Sequence, residues 1–133
     1  MSLRASHQQL LEILARHPEL RDCLHVGRRV HNAVRTTTSI GGLAWWLFFR
    51  IDADDACFFV DRLCDGADLT DGSPILALRK ALINNAAARA KQPDFVVIAL
   101  VIKAWNAYRQ GRTMQVLAWK SGGAAPEAFP EPV

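Results

Sequence analysis

The stretch "VVIALVIKAWNAYRQGR", residues 96–112, decides the fold, because it begins as apolar as a membrane segment and ends in polar and charged residues. A membrane-spanning helix needs roughly 20 mostly apolar residues. The apolar run here, from Phe95 to Ile102, is eight residues long, and the other apolar run, residues 40–49, is ten. Both runs are too short to span a membrane, so we expect no membrane association.

On a helix that turns about 100° per residue, the polar residues of this stretch fall on one narrow stripe. They are Lys103, Asn106 and Gln110, and apolar side chains occupy most of the remaining surface. A helix that is apolar nearly all round is typical of the centre of a helical bundle. The stretch therefore predicts a buried helix over 94–110, with Trp105 and Tyr108 at the rim of the core.

Capping signals and helical spacing of apolar residues predict five further helices. Asp52 and Ser73 are N-cap residues, Gly66 is a C-terminal stop, and Pro74 occupies a first helical position. The predicted helices are a first from Ser6 to before Pro18, a second over about 19–34, a third over about 40–50, a fourth over 53–65 and a fifth that begins at Pro74.

These elements predict a mainly α, single-domain bundle of about six helices around the buried helix 94–110. A chain of 133 residues has the size of one ordinary domain. We expect residues 1–120 to form the helical domain and the Pro/Gly-rich residues 121–133 to form an extended C-terminal tail. The segment 113–119 favours either a short strand or an extended packing segment.

Catalytic and metal-binding motifs are missing from the sequence. Its four histidines never pair with a carboxylate at ligand spacing, so we expect no enzyme activity, no catalytic residue, no metal and no cofactor. The three cysteines form no C-x-x-C pair, which favours a reducing, cytoplasmic location. Cys57 and Cys64 are seven residues apart, and we expect both to be small core residues.

The second predicted helix carries the strongest functional pattern. At 100° per residue, six polar residues share one 120° arc opposite the apolar residues. The six are Arg21, His25, Arg28, Arg29, Asn32 and Arg35. Thr37 and Thr38 follow at the start of the next helix, where hydroxyls and free amides suit a phosphate. The arc predicts a nucleic-acid interface, and Arg79, Lys80, Arg89 and Lys91 are further candidates.

The charge distribution leaves an alternative open. Residues 51–71 contain seven Asp against one Arg, and residues 72–120 contain eight Lys or Arg against one Asp. Such asymmetry favours an anionic partner for the basic part of the chain. Equally, the basic face of the second helix could pair with the acidic block of the fourth, within one chain or across a homodimer.

Two segments carry a family resemblance, "DGADLTDGSPILALR" at 65–79 and "IKAWNAYR" at 102–109. With "LLEILARHPELRD" and the "LAWKSGG" tail, they resemble phage and bacterial proteins in which a ParB/sulfiredoxin-like domain precedes a helical region of this pattern. The ParB-like domain and its Asp-Gly-Gln-His-Arg stretch are absent, so no catalytic residue carries over. The resemblance implies either an excised domain or a free-standing relative that is associated with DNA.

Two functions remain open from the sequence. The first is a non-enzymatic nucleic-acid-binding module, with DNA favoured over RNA. The second is a small protein-binding adaptor, or an inhibitor of a host or defence protein, that uses the acidic block and the Pro-rich tail. A salt titration of DNA binding separates the two, because phosphate contacts are lost steeply as salt rises.

Overall fold

The computed structural model describes residues 20–84, 94–119 and 127–133. Within these ranges the chain forms five α-helices and no strand, so the predicted mainly α class is confirmed. The first predicted helix, from Ser6 to before Pro18, lies outside the described residues. The helices are α1 (Leu20–Val34), α2 (Thr38–Ile51), α3 (Ala53–Asp65), α4 (Pro74–Asn84) and α5 (Asp94–Arg109).

Helices α1 and α2 form a hairpin in which the two backbones come close at glycines. A Cβ atom on Gly41 would lie 3.0 Å from the Cα atom of Gly27, and one on Gly42 would lie 2.9 Å from the carbonyl oxygen of Cys23. Real Cβ atoms rarely approach other atoms this closely. Glycine is therefore required for the close approach of these two helices.

Asp52 joins α2 to α3 through both its backbone and its side chain. Its N–H donates to the carbonyl oxygen of Phe48 at 2.9 Å, and its Oδ1 accepts from the Asp55 N–H at 2.9 Å. This is the N-cap that the sequence predicts. At the other end of α3, Gly66 adopts φ 68° and its N–H donates to the Arg62 carbonyl, as expected for a C-terminal stop.

Local signals also define the start of α4. Pro74 occupies its first position, and the Leu76 N–H donates to the Ser73 Oγ at 3.4 Å. The loop before this cap is tied to a later part of the chain, because the Met114 N–H donates to the Gly72 carbonyl at 2.7 Å. The segment that follows α5 is thereby held beside the α3–α4 loop.

Helix α5 contributes more buried residues than any other described helix, and nine of its sixteen residues are buried. Trp105, with no exposed surface, stacks on Phe48 at 4.2 Å between ring centroids and meets the edge of Phe59 at 5.5 Å. These rings join α2, α3 and α5 into one aromatic core. Of the helices in the described ranges, none combines the length and the apolar character needed to cross a membrane.

The chain after α5 lies along that helix in two passes. Residues 113–119 form no strand and return towards the start of α5, where Trp119 meets the edge of Phe95 at 5.9 Å. Residues 127–133, also without regular secondary structure, then follow α5 in its own direction. Lys103 connects both passes, because its Nζ donates to the Ala118 carbonyl and to the Glu127 carboxylate.

Candidate nucleic-acid interface

The outer face of α1 carries the polar residues that the sequence placed in one arc. His25, Arg28, Arg29 and Asn32 are all exposed. The opposite face is buried, with Cys23, Val26, Val30 and Val34 packed towards the core. Arg21 lies in the first turn of α1, and its side chain falls outside what the structure describes. Four of the predicted residues therefore share the solvent face of one amphipathic helix.

Arg29 forms an ion pair with the acidic helix α3. Its Nη2 lies 3.2 Å from the Asp61 Oδ1, and the two side chains are 46% and 47% exposed. Pairs this exposed contribute between zero and about 1 kcal/mol to stability. The expected ion pairing between the basic face and the acidic block is thus present at Arg29, and both side chains of this pair remain accessible to water.

Arg28 has a different environment from its neighbour. Its side chain is exposed and has no hydrogen bond or ion pair with any residue in the described ranges. The charge of its guanidinium therefore has no carboxylate partner within that part of the chain. Of the two predicted helix arginines whose side chains the structure describes, Arg28 is the more available to an added anion.

Arg35 departs from the predicted arc. Helix α1 ends at Val34, and Arg35 adopts φ 63°, in the left-handed region, with its N–H donating to the His31 carbonyl at 2.9 Å. The 100° step of the helix therefore does not extend to this residue, and a helical wheel does not fix the direction of its side chain. Arg35 is exposed, and no ion pair joins it to the described residues.

The threonines after α1 differ in what they can offer a phosphate. The Thr37 hydroxyl caps α2 by accepting from the Ile40 N–H at 3.3 Å, and its own proton remains able to donate. Thr38, predicted to assist, is half-buried at the start of α2. Thr36 is buried, and its hydroxyl has no partner within the described residues. Exposed Thr37 is therefore the better donor.

His31 is a residue of this region that the sequence interpretation missed. Its Nδ1 lies 2.6 Å from the carbonyl oxygen of Thr36, so it bridges the turn between α1 and α2. The contact requires the proton on Nδ1, because a carbonyl oxygen only accepts. This bridge orders the turn that presents Arg35. A histidine in the last turn before a threonine run was the available sequence signal.

The other basic candidates contribute less. Arg79 is half-buried next to Gly66, and its Nε is buried without a partner in the described part of the chain. Lys80 is exposed on α4. Arg89 and Lys91 lie outside the described residues.

A second polar cluster, which the sequence did not predict, joins α5 to the start of α3. Arg109 donates to the carboxylates of Asp52, at 3.1 Å, and Asp55, and the Tyr108 hydroxyl donates to Asp55 at 3.1 Å. The Asp55 N–H and the Arg109 guanidinium lower the pKa of Asp52. Burial, with the nearby Asp55 charge, raises the pKa of Tyr108 to about 12.

The contacts of this cluster are those of a structural link that holds α5 against the start of α3. Both carboxylates accept hydrogen bonds from a cation, and the hydrogen bond to Asp55 is the main reason that the pKa of Arg109 is raised. Across the described ranges, His, Cys, Asp and Glu side chains form no group of three that could hold a metal ion.

The cysteines differ from the expectation of two core thiols. Cys57 is exposed, Cys64 is half-buried and Cys23 is buried. Burial is the main reason that the pKa of the Cys64 thiol is raised, and Asp61 and Asp65 add to the effect. The prediction for Cys57 was wrong because α3 packs through Ala56, Phe59, Val60 and Leu63, which leaves position 57 facing solvent.

Comparison of the chain with models of known protein families, with curated proteins and with solved structures finds no match. The resemblance to the helical region of ParB-associated proteins therefore stays a prediction.

Proposed function

We propose that this protein is a non-enzymatic nucleic-acid-binding module that contacts the phosphate backbone, with DNA favoured over RNA. The observation that carries the proposal is the pair Arg28 and Arg35, two exposed cations without a carboxylate partner in the described part of the chain. The expected association with DNA and cytoplasmic location come from the resemblance and from the cysteine pattern. They belong to the same proposal.

The chemistry of the arginines suits a phosphate. A guanidinium can donate two parallel hydrogen bonds to phosphate oxygens, and the release of counterions adds to affinity. Arg29 can also be recruited, because its exposed pair with Asp61 costs little to exchange. The exposed side chains of His25, Asn32 and Thr37 would add hydrogen bonds to phosphate oxygens. Such contacts position the protein on the backbone and carry little base specificity.

A salt titration of binding to random-sequence duplex DNA tests the proposal. The informative variant is Arg28→Gln with Arg35→Asn, because asparagine tolerates the positive φ of position 35 and removes the charge. We expect weaker binding to all sequences and a salt slope reduced by roughly one unit per lost contact. A duplex RNA of the same length distinguishes DNA from RNA as the preferred ligand.

The control variant is Arg112→Gln, which removes an exposed cation after the end of α5. It should retain most of the affinity and the salt slope of the wild-type protein. Absence of salt-sensitive binding by the wild-type protein at low ionic strength would overturn the proposal. Equal losses in the control and the double variant would show a general charge effect and no defined interface.

A protein-binding adaptor or inhibitor is the second candidate function. The observation that favours it is the set of exposed apolar side chains on α2 and α3. Leu43, Phe49, Ile51 and Phe58 are between 39% and 47% exposed. Where exposed apolar side chains form a contiguous patch, they are typical of protein interaction surfaces. Phe49→Ser with Phe58→Ser should abolish binding to a protein partner or to a second copy, and should leave DNA binding unchanged.

For the complete chain, we propose the finer architecture that the sequence predicts. It is a bundle of six helices centred on the segment 94–110. The burial of nine α5 residues supports the central position of this helix. Backbone amide exchange should be slowest in α5 if it lies at the centre, because the most buried elements open least often.

A further inference from the structure

The segment 127–133 lies in a groove whose walls are side chains of α5 and of the returning segment 113–119. We call this the tail groove, and it is lined by Lys103, Trp105, Asn106, Arg109 and Trp119. The bound segment, "EAFPEPV", has no regular secondary structure and follows α5 in the same direction. Many of its contacts are hydrogen bonds between groove side chains and the backbone of the segment, whereas ordinary core packing joins apolar side chains.

Asn106 binds the backbone of this segment at two points. Its Nδ2 donates to the Glu131 carbonyl at 2.9 Å, and its Oδ1 accepts from the Val133 N–H at 3.0 Å. One carboxamide thereby spans Pro132, which has no N–H of its own to satisfy. A carboxamide with one donor and one acceptor engaged in this way recognises an extended chain whatever side chains it carries.

Three further side chains donate to backbone carbonyls of the segment. The Trp105 Nε1 and the Arg109 Nε reach the Val133 carbonyl at 3.0 Å and 3.2 Å. The Trp119 Nε1 reaches the Ala128 carbonyl at 3.1 Å. Together with Asn106, these groups bind the segment at both ends through its backbone. None of these bonds requires that the segment be covalently joined to the groove.

Two side chains of the segment add selectivity. The Glu127 carboxylate lies 2.8 Å from the Lys103 Nζ, and the Phe129 ring meets the edge of the Trp119 ring at 5.7 Å. Pro130 and Pro132 restrict the backbone and so reduce the entropy lost when the segment is held extended. The groove therefore suits an extended chain with a carboxylate, an aromatic ring and spaced prolines.

We propose that the tail groove is a peptide-binding site for an extended, acidic, proline-containing segment, and that residues 127–133 are the ligand that the chain itself supplies. A peptide from another molecule with the same chemistry would compete with this internal ligand. An attached ligand on a short linker has an effective concentration in the millimolar range. The wild-type protein should therefore bind an added peptide weakly, and weakening the internal segment should expose the site.

The test uses the full chain and a fluorescent peptide of the sequence EAFPEPV, with a spacer before the label and an amidated end. Glu127→Gln with Phe129→Ala weakens the internal segment and leaves every groove residue unchanged. We expect this variant to bind the peptide at least tenfold more tightly than the wild-type protein. Adding Asn106→Ala should reduce that binding at least tenfold, because both backbone bonds of the carboxamide are lost.

The control peptide is QAAPEPV, which lacks the carboxylate and the ring that face Lys103 and Trp119, and it should bind at least tenfold more weakly. Phe129→Ala alone, a milder change at a half-exposed ring, should give an intermediate gain. Circular dichroism reports whether each variant is folded. Equal binding of both peptides, or no binding by a folded tail-weakened variant, would overturn the proposal. Unfolding of both tail variants would do the same, because the segment would then be part of the core.

Discussion

A Cβ atom built on Gly27 would lie 2.2 Å from the carbonyl oxygen of Thr38, so the backbones of α1 and α2 touch at this point. The atom that would clash belongs to the backbone and cannot rotate away. Gly27→Ala should therefore destabilise the protein by about 3 kcal/mol, the upper part of the usual range for overpacking. Chemical denaturation followed by circular dichroism measures this cost.

Helix propensity alone predicts the opposite sign for this substitution. Alanine is favoured over glycine inside a helix by roughly 1 kcal/mol. Asn32→Ala, an exposed position on the same helix, is the control and should change stability by about 0.5 kcal/mol or less. A Gly27→Ala protein as stable as the wild type would show that the helices separate without cost.

Trp105→Ala should destabilise the protein by about 3–5 kcal/mol, as large core truncations do. The side chain has no exposed surface and stacks on Phe48, so its loss opens a cavity between α2, α3 and α5. The control is Trp46→Ala, at a half-buried indole that has the Arg50 guanidinium carbon 4.5 Å from its ring centroid. A similar cost for both variants in urea unfolding would contradict the assignment of Trp105 to the core.

Tyr108 should titrate well above an ordinary tyrosine. Burial and the Asp55 carboxylate raise its pKa from near 10 to about 12, which favours the neutral phenol in the folded state. The stability this contributes is present below pH 10 and is lost as the pH rises towards 12. Since the chain has one tyrosine, absorbance at the phenolate band reports this group alone.

Two variants test the cause of the Tyr108 shift. Asp55→Asn should lower the titration midpoint, because the carboxylate opposes ionisation of the phenol. Unfolding in urea should return the midpoint to near 10, the ordinary value for tyrosine. A native midpoint near 10 would mean that Tyr108 is not held against Asp55.

The three cysteines should react with a thiol reagent in a defined order. Cys57 is exposed and should be modified first near pH 8. Cys64 should be slower, because burial restricts access and raises the pKa of its thiol, so that less thiolate is present. Cys23 is buried and should be slowest. Cys57→Ser should remove the fast phase, and its persistence would assign that phase to another cysteine.

Short-range signals predicted much of the helical structure. Asp52, Gly66 and Ser73 act at the helix ends to which the sequence assigned them. Helix α2, the third of the predicted helices, begins two residues earlier than predicted, because Thr37 provides its N-cap. These features depend on residues within one turn of each other, so that side-chain type and spacing are sufficient to predict them.

The candidate interface was predicted less completely. The exposure of Arg28 and Arg29 follows from the period of a single amphipathic helix. The left-handed turn at Arg35 and the pair between Arg29 and Asp61 do not follow from it. The first lies in the turn after α1, beyond the end of the helical period, and the second depends on the distance between α1 and α3. A helical wheel describes neither.

By itself, the sequence of this protein determined most of the described helix ends to within about two residues, the apolar side of α1 and the mainly α class, because these depend on neighbours three or four residues apart. Only the tertiary structure decided which partners the polar residues of α5 bind. Asn106 bonds residues 25 and 27 positions later, and Arg109 bonds Asp52 from 57 positions away. Such partners are brought together by packing of the whole chain, which no local pattern records.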